Sequence, residues 1–321
     1  MTSRVKSTWS SPRYSRVAAL AAVAATAAPL LVGCSSSSDK TSDPLAGKKA
    51  SGGTVVVGSN NFAESILLGD LYGEALKAKG IKVSYKPNIG SRETTYGMMK
   101  NGSLTVLPEF NGALLAYLDA KAAPTTVATT NAAIIAKLDP KLTLLNAAPA
   151  QDKDSLTVNA ATASKYSLTG SSTIADLAKH AKDITIGASP EFQTRQQGLV
   201  GLKSVYGLTP KSFKALDAGG PLTEAALKNN NVQAADIFTT DPTITKEKFV
   251  VLQDPKNLFG FENVLPLVYK SGLSAAGVAA LNALSAKLDT AALLQMDTEV
   301  QNDKKDPLPV AQDWLKSVGL A

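Results

Sequence analysis

The sequence predicts an α/β fold in two lobes, the second inserted into the first, and three observations carry that expectation. The chain has 321 residues, 44% hydrophobic and 19% charged, enough for two cores of roughly 150 residues each with a cleft between them. Short β-branched runs alternate with apolar residues at helical spacing along most of the length. After Ser274 the alternation gives way to a wholly helical tail, which most simply packs back on the first lobe.

The first 33 residues stand apart from that pattern. Arg4, Lys6, Arg13 and Arg16 precede an apolar run, residues 17–32, that falls short of a comfortable spanning helix of about 20 residues. This is the layout of an export signal. Its end, Leu31-Val32-Gly33-Cys34, holds the only cysteine and is followed by four serines. It resembles the lipobox of bacterial lipoproteins, which implies cleavage before Cys34 and lipid on its sulfur; the plainer reading is an incidental cysteine behind an ordinary signal. Loss of residues 1–33 takes away four positive charges and no negative ones, so the formal +6 becomes +2. A nucleic-acid partner then has no basic stripe to hold it. No later stretch reaches spanning length, so the body is expected at the cell membrane, lipid-anchored on its extracytoplasmic face. Residues 34–53 carry few large apolar groups to offset the entropy of ordering and read as a flexible tether.

The elements follow in order. Residues 54–57 read as a strand; Asn60 and Asn61 offer N-caps to a helix bearing Ile66, Leu67, Leu71 and Ala75 at helical spacing. Strand 81–85, helix 93–100 and strand 103–107 come next, the last stopping at Pro108. Residues 131–138 read as helix, 156–159 as extended, 173–181 as a helix capped by Thr173, and 183–187 as strand. Helices 196–206 and 223–228 and strands 235–238, 249–252 and 265–269 complete the alternation. The tail begins with Val278, Leu281, Leu284 and Leu288 and runs through Met296 to Leu315. On this reading residues 54–157 with 263–321 form lobe I and 158–262 lobe II, with crossovers near Val158 and Phe261.

Polar and aromatic residues gather where the strands end, the position at which open α/β sheets bind ligands. The segments are 59–64, 108–112, 191–195, 238–241 and 258–262. Together with the run Phe192-Gln193-Thr194-Arg195-Gln196-Gln197-Gly198-Leu199, the Tyr206-Gly207-Leu208 that follows, and the Thr240-Asp241 and Leu252-Gln253-Asp254 pieces, they resemble the osmoprotectant solute-binding proteins of ABC importers, of the glycine betaine, choline and carnitine type. The resemblance runs from Val55 to Leu320. It implies a two-lobed periplasmic-binding-protein architecture of the type II-like, two-crossover kind, closing on a small solute by a hinge, with an ABC permease and its ATPase subunit as partners and no cofactor.

The resemblance also implies a site. The family holds a quaternary ammonium group in an aromatic box by cation–π attraction and a carboxylate by basic side chains. Arg195 matches the family's carboxylate-binding arginine. Phe110 and Phe238 stand where tyrosines are common, keeping a π-face and losing a hydroxyl, and Asn60 replaces a frequent lysine. Asp154 stands in place of an aromatic residue before the crossover, and Glu262 replaces another tyrosine unless Phe261 takes that place. Asp241 is a further ligand candidate. If the alignment holds, the cleft has exchanged rings for carboxylates, which favours a more cationic or more hydrogen-bond-donating ligand than glycine betaine. Plainer roles are open to each: core filling for Phe110 and Phe238, a surface ion pair for Arg195, solvated rim charges for Asp154 and Glu262, and a turn cap for Asp241.

An enzyme finds little support. The single histidine, His180, lies between Lys179 and Lys182, no Gly-x-Ser-x-Gly elbow or Walker-type loop is present, and no histidine or cysteine cluster can hold a metal. A carboxylate pair such as Glu109 with Asp241 or Glu262 could serve a glycosidase. The two tryptophans, Trp9 and Trp314, lie in the signal and the tail, so stacking platforms for sugars are scarce. The alternative from another class is a lipid-anchored envelope protein that keeps the binding fold for a sensory or structural role.

Overall fold

The computed structural model describes residues 53–122 and 126–321; the expected signal, Cys34 and the tether up to residue 52 lie outside the described residues. Ten strands fall in the described part: β1 (Val55–Gly58), β2 (Val83–Lys86), β3 (Val106–Phe110), β4 (Leu142–Leu144), β5 (Leu156–Val158), β6 (Thr185–Ala188), β7 (Ser212–Ala215), β8 (Ala234–Asp236), β9 (Val250–Val251) and β10 (Val264–Tyr269). They form two five-stranded sheets, in the orders β2-β1-β3-β10-β4 and β7-β6-β8-β5-β9. Both sheets follow one plan. Three parallel strands are joined by an antiparallel strand that arrives from the other lobe, β10 in the first sheet and β5 in the second, and an edge strand closes each.

Helices cover both faces of the first sheet. The helices in chain order are α1 (Ala63–Lys77), α2 (Arg92–Lys100), α3 (Asn111–Leu118), α4 (Val127–Lys137), α5 (Ala160–Tyr166), α6 (Ile174–Ala178), α7 (Gly201–Tyr206), α8 (Pro221–Lys228), α9 (Thr243–Lys246), α10 (Ala275–Ser285), α11 (Thr290–Asp297) and α12 (Pro307–Ser317), and on one side of the first sheet lie α1 and the tail helices α10 to α12. The tail packs on lobe I: Leu281, Leu284, Leu288, Leu293 and Leu315 are buried in one core with Leu67, Leu71 and Tyr72 of α1. Each such leucine contributes roughly 1.5–3 kcal/mol of burial. Met99, Leu114 and Ile134 of α2, α3 and α4 fill the opposite face. Lobe II has its own core around Ile174, Ile186, Leu202 and Phe259.

Several expectations shift. β5 pairs with β8 and β9, so the chain has entered the second sheet before Leu156 and the expected junction at 157/158 would divide a strand. The first crossover lies beside Asp152 rather than Val158, because Leu156, Thr157 and Val158 are all fully buried as a central strand. There the two crossovers run side by side: Asp152 N–H donates to the Glu262 carbonyl at 3.0 Å, and Gln151 bridges Asn263. β3 does not stop at Pro108 but continues to Phe110. Pro108 faces Pro266 across β10, and the Pro266 carbonyl turns away to accept from Leu145, so this pair needs no N–H of either residue. The expected helix 196–206 is regular only from Gly201, since Gln197 and Gly198 leave helical geometry. The N-cap of α1 is Phe62, and neither asparagine caps it.

Candidate functional site

Between the lobes lies a cleft lined by residues of both. Its lining comes from the chain just beyond the carboxyl ends of β1, β3, β6 and β8 and from both crossovers, where the sheet topology directs loops of both lobes toward one point. Three phenylalanines make one wall. Phe62 stands 5.9 Å from Phe110 and 5.2 Å from Phe238, centroid to centroid, and the second contact joins lobe I to lobe II. Phe238 is kept in place by a glycine: Gly219 has φ +63° and a Cβ there would meet the ring at 2.9 Å.

Charged residues make up much of the rest. Arg92 and Glu109 form a buried bidentate pair, with Arg92 Nε at 3.0–3.1 Å from both carboxylate oxygens and Nη2 at 2.9 Å from Oε2. Arg195 reaches across the cleft to Glu93 of α2, its Nε and Nη2 donating at 3.0–3.2 Å. Burial alone would raise Glu93; hydrogen bonds from Arg195, Ser91 and its own backbone N–H, with the charge of Arg195, together outweigh it and hold its carboxyl down at about 2. Five further carboxylates, Asp152, Asp154, Glu191, Asp236 and Glu262, line the same cavity. Burial pushes Asp236 and Glu262 well above the usual carboxylate range, and the charge of Asp154 pushes both further. Asp152 is raised by burial and then by the charge of Glu64.

Two of these acids also build the hinge. Glu262 accepts from Ala113 N–H at 2.9 Å in lobe I and from Gln197 Nε2 at 2.8 Å in lobe II; the same amide donates to the Phe259 carbonyl, which explains the break before α7. Gly112 makes room for this segment, since a Cβ would lie 2.2 Å from the Phe261 carbonyl. Nearby, Thr240 Oγ1 of lobe II donates to Glu64 Oε2 of α1 at 2.7 Å, and Thr240 N–H donates to Asp152 at 3.2 Å.

Of the residues expected from the sequence, Asn60, Phe110, Asp154, Arg195, Phe238 and Glu262 line this one cleft. Asn60 is fixed by Thr95 Oγ1, which donates to its Oδ1 at 2.8 Å. Phe110 belongs to the lobe I core as well as the cleft. Asp241 does not reach the cleft: it is turned onto Thr243, whose N–H and Oγ1 donate to Oδ1 at 2.7 and 2.5 Å, as a local turn cap does, and it borders a neighbouring cavity. Phe261 lies outside the cleft, so Glu262 is the residue of that pair that faces it. Glu109 is committed to Arg92 and so is not the free carboxylate that a glycosidase pair would need. Sequence reasoning passed over Phe62, Arg92, Asp152 and Asp236. A signal for Asp236 existed: an acid closing the otherwise apolar strand Ala234–Asp236 has no reason to be there unless the strand end meets something polar. His180 stacks on Tyr166 at 4.0 Å, far from these residues in the chain.

Comparison with known proteins gives a consistent result. The family described as the substrate binding domain of ABC-type glycine betaine transport system matches residues 53–317. The glycine betaine-binding protein YehZ of Escherichia coli strain K12 is 29% identical over 280 residues, covering 83% of this chain and 90% of the relative. Among solved structures, a glycine betaine/carnitine/choline ABC transporter protein superposes with a TM-score of 0.63 at 23% identity, over 83% of this chain and 99% of the other. Lactococcal OpuAC, in its closed conformation with glycine betaine, superposes with a TM-score of 0.59 at 18% identity, over 83% and 96%. These two likenesses establish the two-lobed binding-protein fold.

Proposed function

The chain belongs to the family of substrate-binding domains of ABC-type glycine betaine transport systems, and from that membership we propose that its solute is taken between the lobes, against the wall of Phe62, Phe110 and Phe238. It is a substrate-binding protein of the glycine betaine, carnitine and choline type, and such proteins bind small solutes for a permease and its ATPase. The observation that carries the site assignment is the three-ring wall facing a set of carboxylates in one inter-lobe cleft. Ring faces attract a cation by their quadrupole, and the attraction grows as water is excluded. Closure of the lobes is what excludes it: the contacts Phe62 to Phe238, Arg195 to Glu93 and Thr240 to Glu64 all join one lobe to the other.

Asn60, Asp154, Arg195 and Glu262 complete the proposed site, Arg195 acting chiefly through its clasp on Glu93. No catalytic role is assigned to any of them. The mature chain begins at Cys34, whose sulfur carries the lipid that keeps the protein at the outer face of the membrane beside its permease. Calorimetric titration with glycine betaine, choline and carnitine tests the site. Phe238→Ala removes one cation–π contact of about 0.5–2 kcal/mol, so affinity for whichever solute binds should fall roughly two- to thirtyfold. Unchanged affinity would move the solute out of this cleft.

A further inference from the structure

The cleft's charges pair off unevenly, and the remainder identifies the ligand's chemistry. Each guanidinium already has its own carboxylate: Arg92 has Glu109 and Arg195 has Glu93. A carboxylate on the ligand would meet guanidinium groups already neutralised, and would lie among Asp152, Asp154, Glu191, Asp236 and Glu262. Of these five, Glu262 accepts from Ala113 and Gln197, Asp152 accepts from Thr240, and Glu191 is partly exposed. Asp236 differs. It is 6% exposed, its Oδ1 has no hydrogen-bond partner among the described residues, and it faces the cavity. Asp154, partly exposed to the same cavity, accepts no hydrogen bond from any described residue and is met only by the charges of Arg195 and Arg92. No group of acids among the described residues suits a metal ion. A quaternary ammonium presents only C–H bonds and leaves Asp236 Oδ1 unsatisfied, which is costly for a buried acceptor.

We propose that the solute of this cleft is an organic cation bearing N–H donors, a guanidinium or primary ammonium without a carboxylate of its own, with its N–H bonds on Asp154 and Asp236 and its apolar flank on the three phenylalanines. The inference rests on the reading that the solute occupies this cleft, and narrows it from quaternary amines to N–H cations. Burial, then the charge of Asp154, raises the pKa of the Asp236 carboxyl; Arg195 opposes that, Asp152 reinforces it, and the Ser155 backbone N–H opposes it. A cation arriving with N–H donors favours the ionised form, so binding releases protons and tightens as pH rises.

Calorimetry of the full chain with agmatine, choline and glycine betaine at pH 8 decides the matter. Agmatine should bind at least tenfold tighter than choline, and Asp154→Asn or Asp236→Asn should weaken it at least tenfold. Asp154 is partly exposed, so that variant folds even where Asp236→Asn does not. If glycine betaine or choline binds tighter than agmatine and Phe238→Ala weakens it, the cleft stands and the N–H cation is wrong. If agmatine binding survives Asp154→Asn unchanged, the carboxylate assignment is wrong. If none of the three binds, both the inference and the cleft assignment fall.

Discussion

The pair Arg92–Glu109 sets a sharp test of how the cleft is built. Arg92 is 8% exposed and Glu109 not at all, and three N–H···O contacts of 2.9–3.1 Å bind them across 17 residues of sequence. Glu109→Gln keeps the shape and strands the guanidinium. Breaking one side of a buried ion pair costs about 3–5 kcal/mol, because the remaining charge stays desolvated without an answer. For a domain of this size each kcal/mol moves the midpoint by roughly 2–4 °C, so a fall of about 6–20 °C is expected. Urea unfolding at pH 7 measures it directly, with an unchanged m-value as the check that the native state is intact. Replacing both residues by methionine should recover most of the loss, since well-packed apolar groups often match a buried pair. A loss under 1 kcal/mol in Glu109→Gln would mean that water reaches Arg92 from the cleft, and the premise that this arginine is neutralised for the ligand would fail with it.

Three other outcomes are expected. Arg195→Ala removes a half-exposed pair and should change stability by no more than about 1 kcal/mol, yet weaken solute binding and widen the particle in small-angle scattering, because the clasp joins the lobes; a stability loss without either effect would refute it. Asp297, raised to about 7 by burial against the opposing effect of its neighbour Glu64, holds a proton in the fold that the unfolded chain gives up near pH 4. Stability should therefore fall as pH rises from about 4 to 7, by up to about 1.4 kcal/mol per unit, and Asp297→Asn should flatten that slope in denaturant titrations; a slope of the same size in the variant excludes the group. Cys34→Ala should leave the membrane fraction or stall in processing, and attachment unaltered in that variant would rule out the lipid.

The parts of the fold that were legible in the sequence are those fixed by local periodicity. Thr173 and Asp176 form the capping box that opens α6, and the tail's leucines are buried at the spacing the sequence shows. What escaped depended on contacts between distant residues. Pro108 reads as a strand end because a proline lacks a donor, and only the opposing Pro266 makes its place in β3 harmless. β7, whose residues are mostly exposed at a sheet edge, shows no clear alternation. Among the residues lining the cleft, Phe110, Arg195 and Phe238 are legible because strand ends and a family motif both mark them. Arg92 was not, since nothing near it in sequence shows that Glu109 will be its partner. Asp241 was taken for a ligand contact, but Thr243, two residues on, competes successfully for its carboxylate.

Closure and recognition use the same side chains. Of the side chains that bring the lobes together, Phe62, Phe238 and Arg195 also wall the cavity, and the acids inside it include both hinge residues, Asp152 and Glu262. An open cleft hydrates those acids. A closed one buries them, and their raised pKa values measure the cost that burial imposes on the charged forms. A cationic solute reduces that cost in the closed form alone, because only there do both lobes surround it. The solute therefore shifts the population toward closure by its own differential contacts, and an anion of the same size, meeting the same acids, pushes the equilibrium the other way. Selectivity by charge thus comes from the same equilibrium that presents the closed form for delivery, and a substitution that neutralises Asp154 or Asp236 should ease closure without solute as it weakens the solute's hold.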